Sequence, residues 1–316
     1  MNGHDHHGPA ATHRLVFDSP AMAAFSELEG EVLIGLLTEA ASVLAELYER
    51  LGVEVRRVLD VGCGPGVGTC CLALRFASAS VVAVDGAATM LEHASARAER
   101  LGLAERVDTR LVELPAGFGT LGRTDVAWAS MALHHIGDEA AALRRIRGLL
   151  DPGGLLAVVE RADPLRVLPG DADLGRPGIW DRLDAAWAAW FTDMRADLPG
   201  ATTSADYPAM LAAAGFDLMA DEVLRLVLDA PLDARARRFA HGHLLRARAQ
   251  LGPYAVAADL EALDVLIDET AEEGILRRDD ALLCASRHLY LARAVPGASP
   301  RDPDGNEVGF GGAPPS

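Results

Sequence analysis

From Ala21 to about Leu51 apolar residues recur with helical spacing: Phe25, Leu28, Val32, Leu33, Leu36, Leu37, Ala40, Leu44 and Leu47. That period predicts an N-terminal helical segment. From residue 56 the pattern changes to short apolar runs separated by amphipathic stretches. Strands are predicted at 56–61, 80–85, 106–112, 124–130 and 154–160, and helices at 67–77, 88–101 and 138–150. In the helix at 88–101, Met90, Leu91, Ala94, Ala98 and Leu101 should face inward, with Gly102 as its cap. Asp138 should cap the helix at 138–150, which turns Leu143, Ile146 and Leu150 to the core. Strands alternating with helices imply an α/β fold built on a mostly parallel, doubly wound sheet.

Beyond residue 160 the alternation loosens. A loop rich in Gly, Pro and Asp (161–178) precedes helices at 179–197 and 204–214. A strand at 216–228, helices at 232–251 and 256–268, and a strand at 286–294 follow. The late helices read as an insertion, 231–283, between the last two strands. Two helices without a third layer cannot bury their apolar faces, so they should cover a pocket or form the contact of a homodimer. One domain over 21–295 is expected, with a core at 54–160 and a substrate-side region at 161–295. The polar segments 1–20 and 296–316 read as disordered tails.

The chemistry concentrates where the first strand ends: Val58-Leu59-Asp60-Val61-Gly62-Cys63-Gly64-Pro65-Gly66-Val67-Gly68-Thr69. A buried strand runs into a glycine loop and then a helix. Glycines let the backbone take positive φ and approach a ligand, and the helix N-terminus offers unpaired N–H groups. A nucleotide-like ligand with a carboxylate or phosphate is implied. Asp85 closes the second strand, 23 residues after Gly62, where an acid can take ribose hydroxyls. NAD, FAD and S-adenosylmethionine (SAM) enzymes share these features.

Three further features separate them. The loop is Asp-x-Gly-x-Gly-x-Gly rather than Gly-x-Gly-x-x-Gly. The fourth strand ends in Ala129-Ser130-Met131-Ala132-Leu133-His134-His135-Ile136-Gly137-Asp138, and the fifth is announced by Leu150-Asp151-Pro152-Gly153-Gly154. Together these resemble the class I SAM-dependent methyltransferases, especially the ubiquinone/menaquinone-biosynthesis branch, over roughly residues 50–160. The resemblance implies a Rossmann-like, seven-stranded sheet and methyl transfer to an O, N or C atom of a small molecule. It implies that Gly62, Cys63, Gly64 and Gly66 wrap the methionine part of SAM. Asp60 would support the loop or reach the methionine amine. Asp85 would take the ribose hydroxyls, and Gly86 and Met90 would lie against ribose and adenine. An acid after the third strand would meet the adenine amino group. Asp108 and Glu113 are the candidates, and Glu113 with Leu114 is preferred because it sits at the strand's C-terminal end. Ser130 and Met131 would stand beside the methyl.

His134 and His135 follow them, and a histidine suits a general base. Packing or capping is the competing role. Glu160 and Arg161, at the end of the fifth strand, would hold a polar substrate or form a surface ion pair. Trp180, Trp187, Trp190 and Phe191 have near-helical spacing, which favours core or lid over a substrate platform. His241 and His243 lie two apart on a helix, hence not on one face. No metal site is expected.

Composition narrows the partners. The formal charge is −17 over 316 residues, which disfavours nucleic acid and anionic membranes. All 29 basic residues are arginine. This excludes lysine chemistry, including the Tyr–Lys pair of short-chain oxidoreductases. An NAD(P)-dependent oxidoreductase is therefore the second choice, and a SAM-binding protein that does not methylate the third. Cys63, Cys70, Cys71 and Cys284 have neither zinc spacing nor a disulfide pattern. A cytoplasmic enzyme without a signal peptide or membrane span is expected. Four of the ten histidines lie within the first 20 residues, where a flexible polar segment implies no rigid metal geometry.

Overall fold

The computed structural model describes residues 18–295 apart from 115, 171, 173 and 202–205. The predicted N-terminal and C-terminal tails fall almost wholly outside the described residues. Ser19 caps the first helix, α1 (Pro20–Val32), its hydroxyl accepting from the Met22 N–H at 3.2 Å. The N-terminal helical pattern breaks at Leu33 (φ −95°, ψ 15°) and resumes as α2 (Ile34–Leu51). The break lets α1 reach the helices Val67–Arg75, Ala88–Arg100 and Ala234–Leu251, while α2 packs on the first of these and on the strands Phe216–Leu228 and Leu283–Ala294.

The core then alternates as expected: β1 (Arg57–Val61), α3 (Val67–Arg75), β2 (Ser80–Asp85), α4 (Ala88–Arg100), β3 (Val107–Leu111), β4 (Thr124–Ser130), α5 (Glu139–Leu149) and β5 (Leu150–Arg161). It continues with α6 (Ile179–Ala196), α7 (Tyr207–Ala213), β6 (Phe216–Leu228), α8 (Ala234–Leu251), α9 (Ala257–Ile267) and β7 (Leu283–Ala294). The Asp138 carboxylate caps α5, accepting from the Ala141 N–H at 2.7 Å. Leu101, expected inward, is 48% exposed. The helix ends one residue earlier, so Leu101 lies on the turn that Gly102 closes at φ +69°.

The sheet order is β3-β2-β1-β4-β5-β7-β6. The β1–β5 neighbours pair in parallel, whereas β7 runs antiparallel to both β5 and β6. Val58, Trp128, Leu155 and Leu289 face one layer, with α2, α6, α8 and α9; Leu59, Ala127, Leu156 and Tyr290 face the other, with α5 and α7. Burial on both faces explains why these strands read as continuous apolar runs. Order reverses between β1 and β4, which opens a crevice at their C-terminal ends.

The insertion α8–α9 packs against α1 and α6. Phe239 meets Phe25 at 5.8 Å, and His243 stacks on Trp187 at 6.1 Å. Gly242 makes room for this, since a Cβ there would lie 2.8 Å from the Phe25 ring.

Candidate active site

A cavity of about 1640 Å³ occupies the crevice. A single small-molecule pocket is typically about 300–1,000 Å³, so this one has room for a cofactor and an acceptor together. Of the residues singled out from sequence, Asp60, Gly62, Cys63, Gly64, Asp85, Gly86, Met90, Glu113, Leu114, Ser130, Met131, His134, His135, Glu160 and Arg161 all line it. Gly66 does not. It sits beneath the loop at φ +78°, where a Cβ would lie 2.7 Å from the Ala94 Cα of α4. The missing Cβ allows α4 to approach closely there.

The loop is held by its own strand neighbours. The Gly62 and Cys63 N–H groups donate to the Val84 carbonyl at 2.9 and 3.0 Å. Gly62, at φ +68°, presses on the strand-four turn, and a Cβ there would lie 2.6 Å from the Ala132 Cβ. Asp85 accepts from the Gly64 N–H and the Ala87 N–H, both at 2.9 Å. Burial nevertheless lifts its pKa above the usual carboxylate range. Each Asp85 oxygen keeps acceptor capacity for a further donor such as a hydroxyl.

Asp60 is 2% exposed. Thr69 donates to it at 2.6 Å, and burial pushes its pKa up to about 7. The Trp128 indole N–H, buried on the neighbouring strand, has no hydrogen-bond partner among the described residues. A buried carboxylate with so little compensation fits a cationic ligand group such as the amine of SAM. Met131 adopts φ +53°, an uncommon conformation for a non-glycine residue, and its N–H donates to the Val159 carbonyl at 2.8 Å. Such strain clusters at ligand sites. Asp108 is exposed and paired to Arg110 at 2.7 Å, outside the cavity, while Glu113 lies on its wall.

Helix α1 roofs this half. Gly30 permits its approach, because a Cβ there would lie 2.7 Å from Val67 at the start of α3. Glu27 ties α1 to α4 through His93 (2.8 Å), Arg97 (3.1 Å) and Arg100 (2.7 Å). Burial would raise the Glu27 pKa, but these partners outweigh it and hold it below the usual value.

In the other half, His134 and Glu160 form a pair, with Nδ1 and Oε2 2.7 Å apart. Their side chains are 15% and 9% exposed. The second Glu160 oxygen, Oε1, is buried without a hydrogen-bond partner among the described residues. The His135 ring lies 4.0 Å from that of His134. Below them, Arg195 of α6 donates to the His134 carbonyl at 2.5 Å and to Glu139 at 2.7 Å, and the Tyr207 hydroxyl donates to Glu139 at 3.1 Å. Sequence reasoning missed this network. Arg195 and Tyr207 lie on separate late helices, and no local pattern joins them to Glu139.

Trp180, Trp187, Trp190, Phe191 and Arg246 also line the cavity. Among the described residues, no group of three or more His, Cys, Asp or Glu could hold a metal, and no helix is long and apolar enough to cross a membrane.

A strand–glycine loop–helix at the switch point, an acid ending β2 and a roofed cavity define an enzyme that uses a nucleotide-type cofactor. A methyltransferase domain matches residues 58–154. Trans-aconitate 2-methyltransferase of Methylobacterium radiotolerans is 33% identical over 210 residues, covering 61% of this chain and 78% of that protein. An uncharacterized methyltransferase of Mycobacterium tuberculosis is 40% identical over 109 residues, 34% of this chain and 51% of that protein. In structure, the YcgJ protein of Bacillus subtilis is similar at a TM-score of 0.49, with 18% identity over 82% of this chain and 99% of that one. The chain belongs to the methyltransferase family that the Methylobacterium relative represents. It is a SAM-dependent methyltransferase.

Proposed function

We propose that SAM lies along the β1–α3 loop and the ends of β2 and β3, and that the methyl passes to a hydroxyl or amine held at His134. When bound, SAM supplies an electrophilic methyl on a positively charged sulfur. Asp60 faces the amine, Asp85 orients the ribose hydroxyls, and Met90, Glu113 and Leu114 bracket the adenine. Gly62, Cys63 and Gly64 close on the methionine part, with Ser130 and Met131 on its far side.

The single observation that carries the acceptor chemistry is the 2.7 Å contact between His134 Nδ1 and Glu160. A carboxylate at Nδ1 favours the tautomer protonated there and leaves Nε2 as the base. It also stabilises the imidazolium formed when Nε2 takes the acceptor's proton. Helices α1, α6 and α8 roof the cavity and limit the water that could compete. His135 is the lesser candidate because Glu160 engages its neighbour.

A second reading has support of its own. The Methylobacterium relative is named for trans-aconitate, an acid. A carboxylate acceptor is already ionised near pH 7 and needs no base. The motif likeness to the ubiquinone/menaquinone branch points to a different acceptor again. Methyl transfer from labelled SAM to an acceptor panel, with His134→Ala across pH, separates these readings. Base catalysis predicts a loss of ~10²–10⁴-fold in kcat. An unchanged rate and pH profile would favour the carboxylate oxygen.

Residues 21–295 are proposed to act as one unit, with 161–295 on the substrate side. All four cysteines are free, which supports a reducing cytoplasm.

A further inference from the structure

The cavity also joins two unlike surfaces. One is aromatic, from α6, where Trp187 and Trp190 pack edge to face at 5.2 Å with Phe191 beside them. The other is cationic: Arg161 at the end of β5, Arg246 on α8 and Arg287 on β7. The chain carries a net charge of −17, so acids are abundant. Yet neither Arg161 nor Arg246 has an ion-pair partner among the described residues. Arg246 instead reaches Met22 Sδ at 2.8 Å and lies 5.0 Å from the centre of the Phe25 ring. Arg287, with a side chain 9% exposed, donates to the Ser286 carbonyl at 3.0 Å, and its one ion pair among the described residues is a long 3.4 Å contact to Glu29.

The remaining charged groups nearby are committed elsewhere. Arg166 pairs with Asp184, Asp163 with Arg225, and Glu160 with His134. Three guanidinium groups thus face one carboxylate, Glu29. Their field is felt locally. Burial, then the charges of Arg161 and Arg246, push His243 down to about 3, so that ring stays neutral. Three clustered cations against one carboxylate call for a further counter-ion, and the guanidinium fork matches a carboxylate.

We propose that the methyl acceptor is an amphipathic acid, with one carboxylate taken by Arg161 and Arg246 and an aromatic or aliphatic body laid against Trp187, Trp190 and Phe191. The proposal rests on the assignment of this cavity to the acceptor and narrows its class. A small triacid fits less well. Satisfying one carboxylate at the arginines would leave two more against a wall of indole and phenyl faces, and a buried charge without partners is costly. An apolar body buries that same wall favourably.

The test uses the full chain with S-adenosylhomocysteine bound and three calorimetric probes: 4-phenylbutyrate, its neutral amide 4-phenylbutyramide, and trans-aconitate. The acid should bind about tenfold or more tighter than the amide, as a charge-assisted contact predicts, and tighter than trans-aconitate. Its binding should quench tryptophan fluorescence. Arg161→Gln, at an exposed position, and Arg246→Gln should each remove most of the acid-over-amide preference while S-adenosylhomocysteine affinity stays unchanged. Equal binding of acid and amide, or tighter binding of trans-aconitate, would overturn the inference alone. Failure to bind S-adenosylhomocysteine would overturn the underlying site assignment as well.

Discussion

The Thr69 hydroxyl, in the first turn of α3, donates to the Asp60 carboxylate of β1 at 2.6 Å. With Thr69 1% and Asp60 2% exposed, this one hydrogen bond does not offset the burial that pushes Asp60 to about 7. The folded carboxyl therefore binds a proton that the unfolded one, near 3.8, has lost. The contribution of Asp60 to stability is fully present below the unfolded pKa and is lost as pH rises from about 4 to about 7.

Asp60→Asn should accordingly stabilise the ligand-free protein, and its advantage in melting temperature should widen from pH 5 to pH 8. The same variant should bind SAM at least ~10-fold more weakly, because a charge-assisted contact to the amine is lost. In the wild type, SAM affinity should rise with pH through about 7 as Asp60 ionises. A flat pH dependence of affinity would show that Asp60 does not meet a cation.

Asp85 organises the loop as well as offering acceptors to a ligand, since it holds the Gly64 and Ala87 N–H groups. Asp85→Ala should lower SAM affinity ~10-fold or more, and Asp85→Asn should recover less than half of the lost binding free energy, because an amide offers one acceptor oxygen where the carboxylate has two. Calorimetry on the folded variants decides it. Full affinity in Asp85→Ala would remove this residue from the site.

Gly66→Ala tests whether that glycine serves packing. A methyl there would lie 2.7 Å from the Ala94 Cα, and the backbone sits at φ +78°. The unfolding free energy, measured by denaturant titration, should drop by ~1–3 kcal/mol. Gly64 has open space around its would-be Cβ, so Gly64→Ala should cost less in stability and more in SAM affinity.

The Arg195–Glu139 pair has side chains 6% and 1% exposed and also holds the His134 carbonyl. Arg195→Met leaves a buried carboxylate with only Tyr207. Burial already holds the Glu139 pKa above its usual value despite Arg195, so Glu139 should then take up a proton. The expected loss is ~3–5 kcal/mol, measured by denaturant titration. The double variant Arg195→Met/Glu139→Gln should recover part of it. No recovery would mean that Arg195 acts through packing rather than charge.

Much of the nucleotide half was legible along the chain because its parts are local. A strand ending in Asp60, a loop needing positive φ at Gly62 and Gly64, and a helix starting at Val67 follow one another within a dozen residues, so steric rules and periodicity suffice to order them. Asp85 is likewise placed by the strand that it ends. Tertiary structure decided what depends on distant partners. Gly66 packs against Ala94 on another helix and is not among the residues lining the cavity. His134 gains its tautomer-setting neighbour only because β4 and β5 lie side by side, which brings Glu160, 26 residues later, within 2.7 Å. The arginines of the acceptor half, Arg161, Arg246 and Arg287, come from three elements whose side chains converge only once α8 folds over the sheet. Helical or strand periodicity shows which face of an element is apolar; it carries no information on which distant charges that face will meet.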